Sequence, residues 1–141
     1  MKSSHLPLWI VPLTLLVFAG CHAGGGIKDA DSQDQPDIVG TWTWVESTGG
    51  IGGVTKTPEN SSETWTIEFR KDGTFREVHL GEERVGPYTI ADRTSIFDHE
   101  MRPALLIEGR LDQIIACPDG RRLLLSDNAV DGFNNIFVRS R

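Results

Sequence analysis

Cysteine is nearly absent from this 141-residue chain, which carries only Cys21 and Cys117. Two thiols cannot build a disulfide framework, so the fold has to rest on buried apolar surface. Positive charge is also thin, with 14 Lys and Arg against 20 Asp and Glu and a formal net charge of −6. Without a basic stripe or a platform of aromatics interleaved with arginine, the chain has no expected nucleic-acid partner. Long hydrophobic runs are missing as well. The longest, "LPLWIVPLTLLVF" at 6–18, falls short of the roughly 20 residues that a membrane-spanning helix needs. Helical periodicity is absent from every long window, and only "SIFDHEMRP" at 95–103 leaves room for a short helical piece.

What the first residues do contain is an ordered signal. Lys2 precedes the apolar run, and the small residues Ala19 and Gly20 precede Cys21. That order reads as a secretory signal peptide over 1–20. "FAGC" at 18–21 resembles the bacterial lipobox, with Phe18 in place of the usual aliphatic residue. The resemblance implies acylation of Cys21, which becomes the mature N-terminus and takes up fatty acyl chains such as palmitate. Each buried methylene adds about 0.8 kcal/mol, so more than one acyl chain gives a stable membrane anchor. The residue after the cysteine is His22 and not Asp. By the same resemblance, that directs the protein to the outer membrane of a bacterium that has one. With Cys21 acylated, Cys117 has no internal partner and reads as a small, half-buried apolar residue, with an intermolecular bridge as the alternative.

Residues 22–37, "HAGGGIKDADSQDQPD", are too polar to bury surface and read as a flexible tether of about 20–25 Å r.m.s. reach. The domain proper is expected over 38–141. It holds 12 basic and 16 acidic side chains, enough residues for one domain with a modest core.

That domain reads as β throughout. Eight short segments rich in Val, Ile, Thr and aromatics lie at 38–45, 63–70, 74–80, 84–91, 104–109, 111–117, 122–127 and 133–140, separated by turn signals such as "KDG" and "PDG". Hairpin spacing predicts an all-β antiparallel meander of about eight strands, either a closed barrel or a sandwich. Alternation assigns the faces. Trp65, Ile67 and Phe69 share one face, and so do Ile38, Gly40, Trp42 and Trp44; Tyr88 pairs with Ile90, and Phe133 with Phe137. The third strand breaks the pattern, because Phe75 shares parity with Glu77 and His79. A bulge there, or a position at the rim, is the favoured reading. If instead Glu77 and His79 face inward, they become polar anchors of a small-molecule cavity.

"IVGTWTWVES", "WTIEFRKDGTF", "GPYTI" and the closing "LLLSDNAVDGFNNIFVRSR" resemble the lipocalin-like domain of small bacterial lipoproteins. The resemblance implies a small antiparallel up-and-down β-barrel of about eight strands, closed at one end by a G-x-W tryptophan, here Gly40, Thr41 and Trp42, with a late-strand arginine, Arg139, packed on the indole. It also implies a small apolar or amphipathic ligand inside. Trp44, Trp65, Phe69 and Tyr88 are the candidate ligand-binding aromatics.

No catalytic signature stands, and the chain is not expected to be an enzyme or to need a cofactor or metal. Asp98, His99 and Glu100 are adjacent, so in an extended segment they alternate faces and do not converge on one ion. "DNAVDG" at 127–132 has Ala129 where a calcium loop needs a ligand, and reads as a tight inter-strand loop. The glycine-rich "STGGIGGVTKTP" at 47–58 has Thr55 before Lys56 and a strand pattern beyond it, so it fails as a phosphate loop. It is expected instead to be a long first loop lying over the barrel mouth, with Ile51 or Val54 dipping in as a lid. Two functional classes follow. One is a membrane-anchored carrier or sensor for a small ligand. The other is a non-enzymatic envelope interaction module with a packed interior and an unidentified protein partner.

Overall fold

β-branched and aromatic residues alternate with polar ones over most of the domain, and the chain answers with strands almost from end to end. A computed structural model describes residues 35–116 and 119–140. The expected signal peptide, Cys21, the tether as far as residue 34, and Cys117 lie outside the described residues. The elements are β1 (Gly40–Gly49), β2 (Val54–Lys56), α1 (Pro58–Ser61), β3 (Trp65–Phe69), β4 (Thr74–His79), β5 (Glu82–Pro87), β6 (Thr89–Thr94), β7 (Met101–Leu106), β8 (Gln113–Ala116), β9 (Arg122–Asp127) and β10 (Phe133–Arg139).

All pairings are antiparallel, in the order β5-β4-β3-β1-β10-β9-β8-β7-β6, with β2 hydrogen-bonded to β1 off this path. The first and last strands of that path, β5 and β6, are joined in sequence by Tyr88 alone. The sheet therefore curls until its two ends share one extended stretch of chain. If that stretch counts as one strand and β2 is set aside, the described residues form a barrel-like up-and-down sheet of eight strands. The segment read from sequence as a single strand at 84–91 divides at Pro87, which has no N–H to continue the ladder. The Tyr88 amide instead donates to the Gly73 carbonyl at 2.8 Å.

Inward-facing side chains fill the closed half. Trp42, Trp44, Ile67, Phe69, Phe75, Leu105, Leu123, Leu125 and Phe137 form the buried core. At the very end, Arg139 lies opposite Trp42 in the β1–β10 ladder, with its guanidinium carbon 4.2 Å from the indole centroid. The Trp42 Nε1–H donates to the Ile38 carbonyl at 2.7 Å, and Arg139 Nη1 donates to the Val39 carbonyl at 2.8 Å. Gly40 sits beneath this pair at φ 135°, where a Cβ would come 2.5 Å from Arg139 Nη1. Glycine alone meets both demands.

Three local expectations are corrected. The bulge lies in β1 and not in β4. Register against β10 shifts between Trp44 and Glu46, whereas β4 pairs with β3 without interruption from Trp65↔His79 to Phe69↔Phe75. The bulge brings Trp44 and Ser47, three residues apart, to the same interior, where the indole N–H donates to Ser47 Oγ at 2.8 Å. Second, 95–103 is not helical. Residues 96–99 form a turn with His99 at φ 61°, and among the described residues the one helical turn is α1, whose Asn60 side chain accepts from the Thr57 amide at 2.8 Å. Third, the glycine-rich stretch is ordered. Ser47–Gly49 pair with Val54–Lys56 as a hairpin, and α1 follows.

Candidate ligand-binding cleft

The rows of side chains that point inward change character at one end of the barrel. On β1 the series Trp42, Trp44 gives way to Ser47. On β4 Phe75 is followed by Glu77 and His79, and on β9 Leu123 and Leu125 are followed by Asp127. On β10 Phe137 gives way to Asn135, and on β8 Ile115 gives way to Gln113. β1, β4 and β9 finish at this end, and β3, β8 and β10 begin there. Five strands thus place a polar side chain at the same level, and a cleft of about 350 Å³ opens above them.

Trp65 and His79, opposite each other in the β3–β4 ladder, stack with centroids 4.7 Å apart and planes at 22°. Cross-strand pairs of this kind are the ordinary stabilising unit of a sheet. Here both rings line the cleft, with Phe133 and Leu111 contributing the other apolar surface. Beneath them Glu77 is only 3% exposed. A buried carboxylate is costly unless it is paired and hydrogen-bonded. Both conditions are met: Trp65 Nε1 donates to Oε1 at 2.6 Å, and Arg110 from the β7–β8 connection donates to Oε2. At the rim Lys56 Nζ donates to Glu63 Oε1 at 2.9 Å, and His79 Nε2 lies 3.6 Å from Glu63 Oε2. The hydrogen bond from Lys56, supplemented by His79, holds the Glu63 carboxyl below its ordinary value. Across the cleft, Gln113 Nε2 donates to Asp127 Oδ1 at 2.8 Å and the Phe133 amide donates to Asp127 Oδ2 at 3.0 Å. Ser47 Oγ donates to Asn135 Oδ1 at 2.6 Å. Among the described residues no buried side-chain polar atom is left without a partner, so the cleft is pre-organised.

The candidate ligand-binding residues divide sharply. Trp65 lines the cleft. Trp44 and Phe69 are buried in the packed half and do not line the cleft. Tyr88 packs edge-on against Phe69 at 5.0 Å and donates to the Arg70 carbonyl at 3.0 Å; burial raises its phenol pKa. Ile51 is 91% and Val54 51% exposed, so neither dips into the opening. The hairpin tip that carries them is tied sideways to the β9–β10 loop through the Gly50 amide and the Gly132 carbonyl at 3.3 Å. Gly40, Trp42 and Arg139 gather at the other, closed end.

The inward reading, ranked second from sequence, describes Glu77, which is buried beneath the cleft, while His79 takes the rim position of the favoured reading with its side chain 39% exposed. Gln113, Asn135 and Arg110 are not singled out by the sequence, and Asp127 only as the first residue of a rejected calcium loop. Their signal is a polar side chain interrupting apolar alternation near the same end of several strands, legible only once strand directions are known. Asp98 is committed to Arg102 at 2.7 Å, and among the described residues no group of three His, Cys, Asp or Glu is placed to hold a metal. Comparisons with protein-family models, curated proteins and solved structures return no match to this chain.

Proposed function

We propose that the protein is a lipocalin-like lipoprotein of the cell envelope, anchored through acylated Cys21, that binds a small amphipathic ligand without transforming it. An outer-membrane position follows where the bacterium has such a membrane. The observation that carries the reading is the cleft itself. About 350 Å³ of space meets aromatic walls and a floor of fixed polar side chains at one end of a barrel, the usual design of a small-molecule site. The solid packing of Trp44, Phe69 and Phe137 below it moves the ligand from the barrel interior to its mouth. It also favours an amphipathic ligand over a wholly apolar one. Support for the family comes from the Gly40, Trp42 and Arg139 arrangement at the closed end.

The test is chemical-shift mapping of the chain against a small library of amphipathic fragments. Saturable shifts concentrated on Trp65, His79, Gln113 and Phe133 are expected. Shifts confined to the closed end, or none, would reject the cleft as the site.

A further inference from the structure

We propose that the ligand of the cleft is a neutral saccharide, an inference that rests on reading the cleft as the binding site. Charge excludes the first competitor. The lining holds three carboxylates, Glu63, Glu77 and Asp127, against two cations, Lys56 and Arg110. Each cation is already paired, Lys56 with Glu63 and Arg110 with Glu77. A phosphate or carboxylate headgroup would meet excess negative charge and no free cation to hold it. Shape excludes the second. An alkyl chain needs an apolar tunnel, but below the cleft Trp44, Phe69, Phe75 and Phe137 are each no more than 2% exposed. The barrel is closed there by side chains in contact.

A sugar ring fits what remains. It presents a face of C–H bonds and an edge of hydroxyl groups, each of them both donor and acceptor. The stacked Trp65–His79 pair and Phe133 offer flat surfaces for the C–H face. The floor offers planar groups with capacity to spare. Glu77 accepts one protein hydrogen bond on each oxygen, as does Asp127. A carboxylate has about four acceptor sites, so each retains lone pairs for hydroxyl donors. Gln113 uses one amide hydrogen on Asp127 and keeps a second donor and its carbonyl. These donors and acceptors are held by one another before any ligand arrives, so adjacent hydroxyls are recognised without the floor having to be ordered on binding.

The experiment is isothermal titration calorimetry of the full chain in phospholipid nanodiscs, free of sugar-headed detergent. The probes are glucose, N-acetylglucosamine and maltose, with choline and decanoate as comparators; indole N–H shifts are followed in parallel. At least one saccharide should bind saturably and shift the Trp65 signal. Affinity should fall about tenfold in Trp65→Ala, and to a similar extent in Glu77→Gln, since a charge-assisted hydrogen bond is lost. Because Glu77→Gln leaves Arg110 without its charge partner, a third variant at the cleft wall, Phe133→Leu, which spares that pair and should also weaken saccharide binding, keeps the test decisive if the other two fail to fold. Saturation by choline or decanoate with no response to any saccharide overturns the saccharide and leaves the cleft standing as a site. No binding by any probe overturns both. Saccharide binding unchanged in the variants that fold also overturns the proposal, because the sugar would then lie elsewhere.

Discussion

At the scale of single residues, the two ends of β1 perform different tasks, and one substitution separates them. Trp42 is fully buried, donates to the Ile38 carbonyl and carries the Arg139 guanidinium on its face. Replacing it with alanine removes a large side chain from a packed site and costs about 3–5 kcal/mol. A further part of the cation–indole interaction, about 0.5–2 kcal/mol, is lost with it. Urea denaturation should register the loss, while ligand affinity, measured where the variant remains folded, should be unchanged because the cleft lies at the other end of the strand. An undiminished denaturation midpoint would refute the closing role. Trp42 was legible because alternation and the G-x-W spacing both point to it. Glu77 was not. A lone glutamate on an inward row looks like a register error, since a buried carboxylate without partners is prohibitive. Its partners are Trp65 and, 33 positions along the chain, Arg110. No local pattern announces a partner at that distance.

At the scale of elements, strand composition was plain, but the connections were harder to read. The bulge in β1 escaped notice because Val45 and Glu46 continue an ordinary strand pattern; only pairing with β10 shows the extra residue. The segment 95–103, where the sequence leaves room for a short helical piece, opens in a turn pinned by its own side chains. Asp98 accepts from the Glu100 amide at 3.2 Å and from Arg102 Nε at 2.7 Å. The Arg102 guanidinium, then the Glu100 amide, lowers the Asp98 carboxyl from 3.8 to about 2. A depressed carboxylate pKa means that the folded turn favours the ionised form. Its contribution is therefore complete above the unfolded value of 3.8 and is lost as pH falls through about 2. A carbon-detected NMR titration of the Asp98 carboxyl should give a midpoint near 2, moving up toward the ordinary value in Arg102→Ala. A midpoint of 3.8 in the unaltered chain would show that the ion pair does not hold the turn in solution.

At the scale of the whole molecule, composition and hairpin spacing were enough to place the chain among antiparallel all-β folds, barrel or sandwich, because eight alternating segments with short turns leave few other ways to bury one face of each; the resemblance, not the spacing, pointed to the barrel. The position of the cleft was not legible, since it depends on which strand ends meet, and that is a property of topology. Anchoring, by contrast, is a sequence-level proposal. It rests on Ala19, Gly20 and Cys21 following the apolar run, and the barrel neither requires nor opposes it. The two are separable by experiment. Cells grown with labelled palmitate should incorporate label into the wild-type chain and not into Cys21→Ser, which should also accumulate as a precursor retaining residues 1–20. Cys117→Ser should label normally, which fixes the acylation on one of the only two thiols in the chain. Label persisting in Cys21→Ser, or absent from the wild type, would remove the membrane anchor from the proposed function while leaving the cleft and its ligand chemistry to stand on their own geometry.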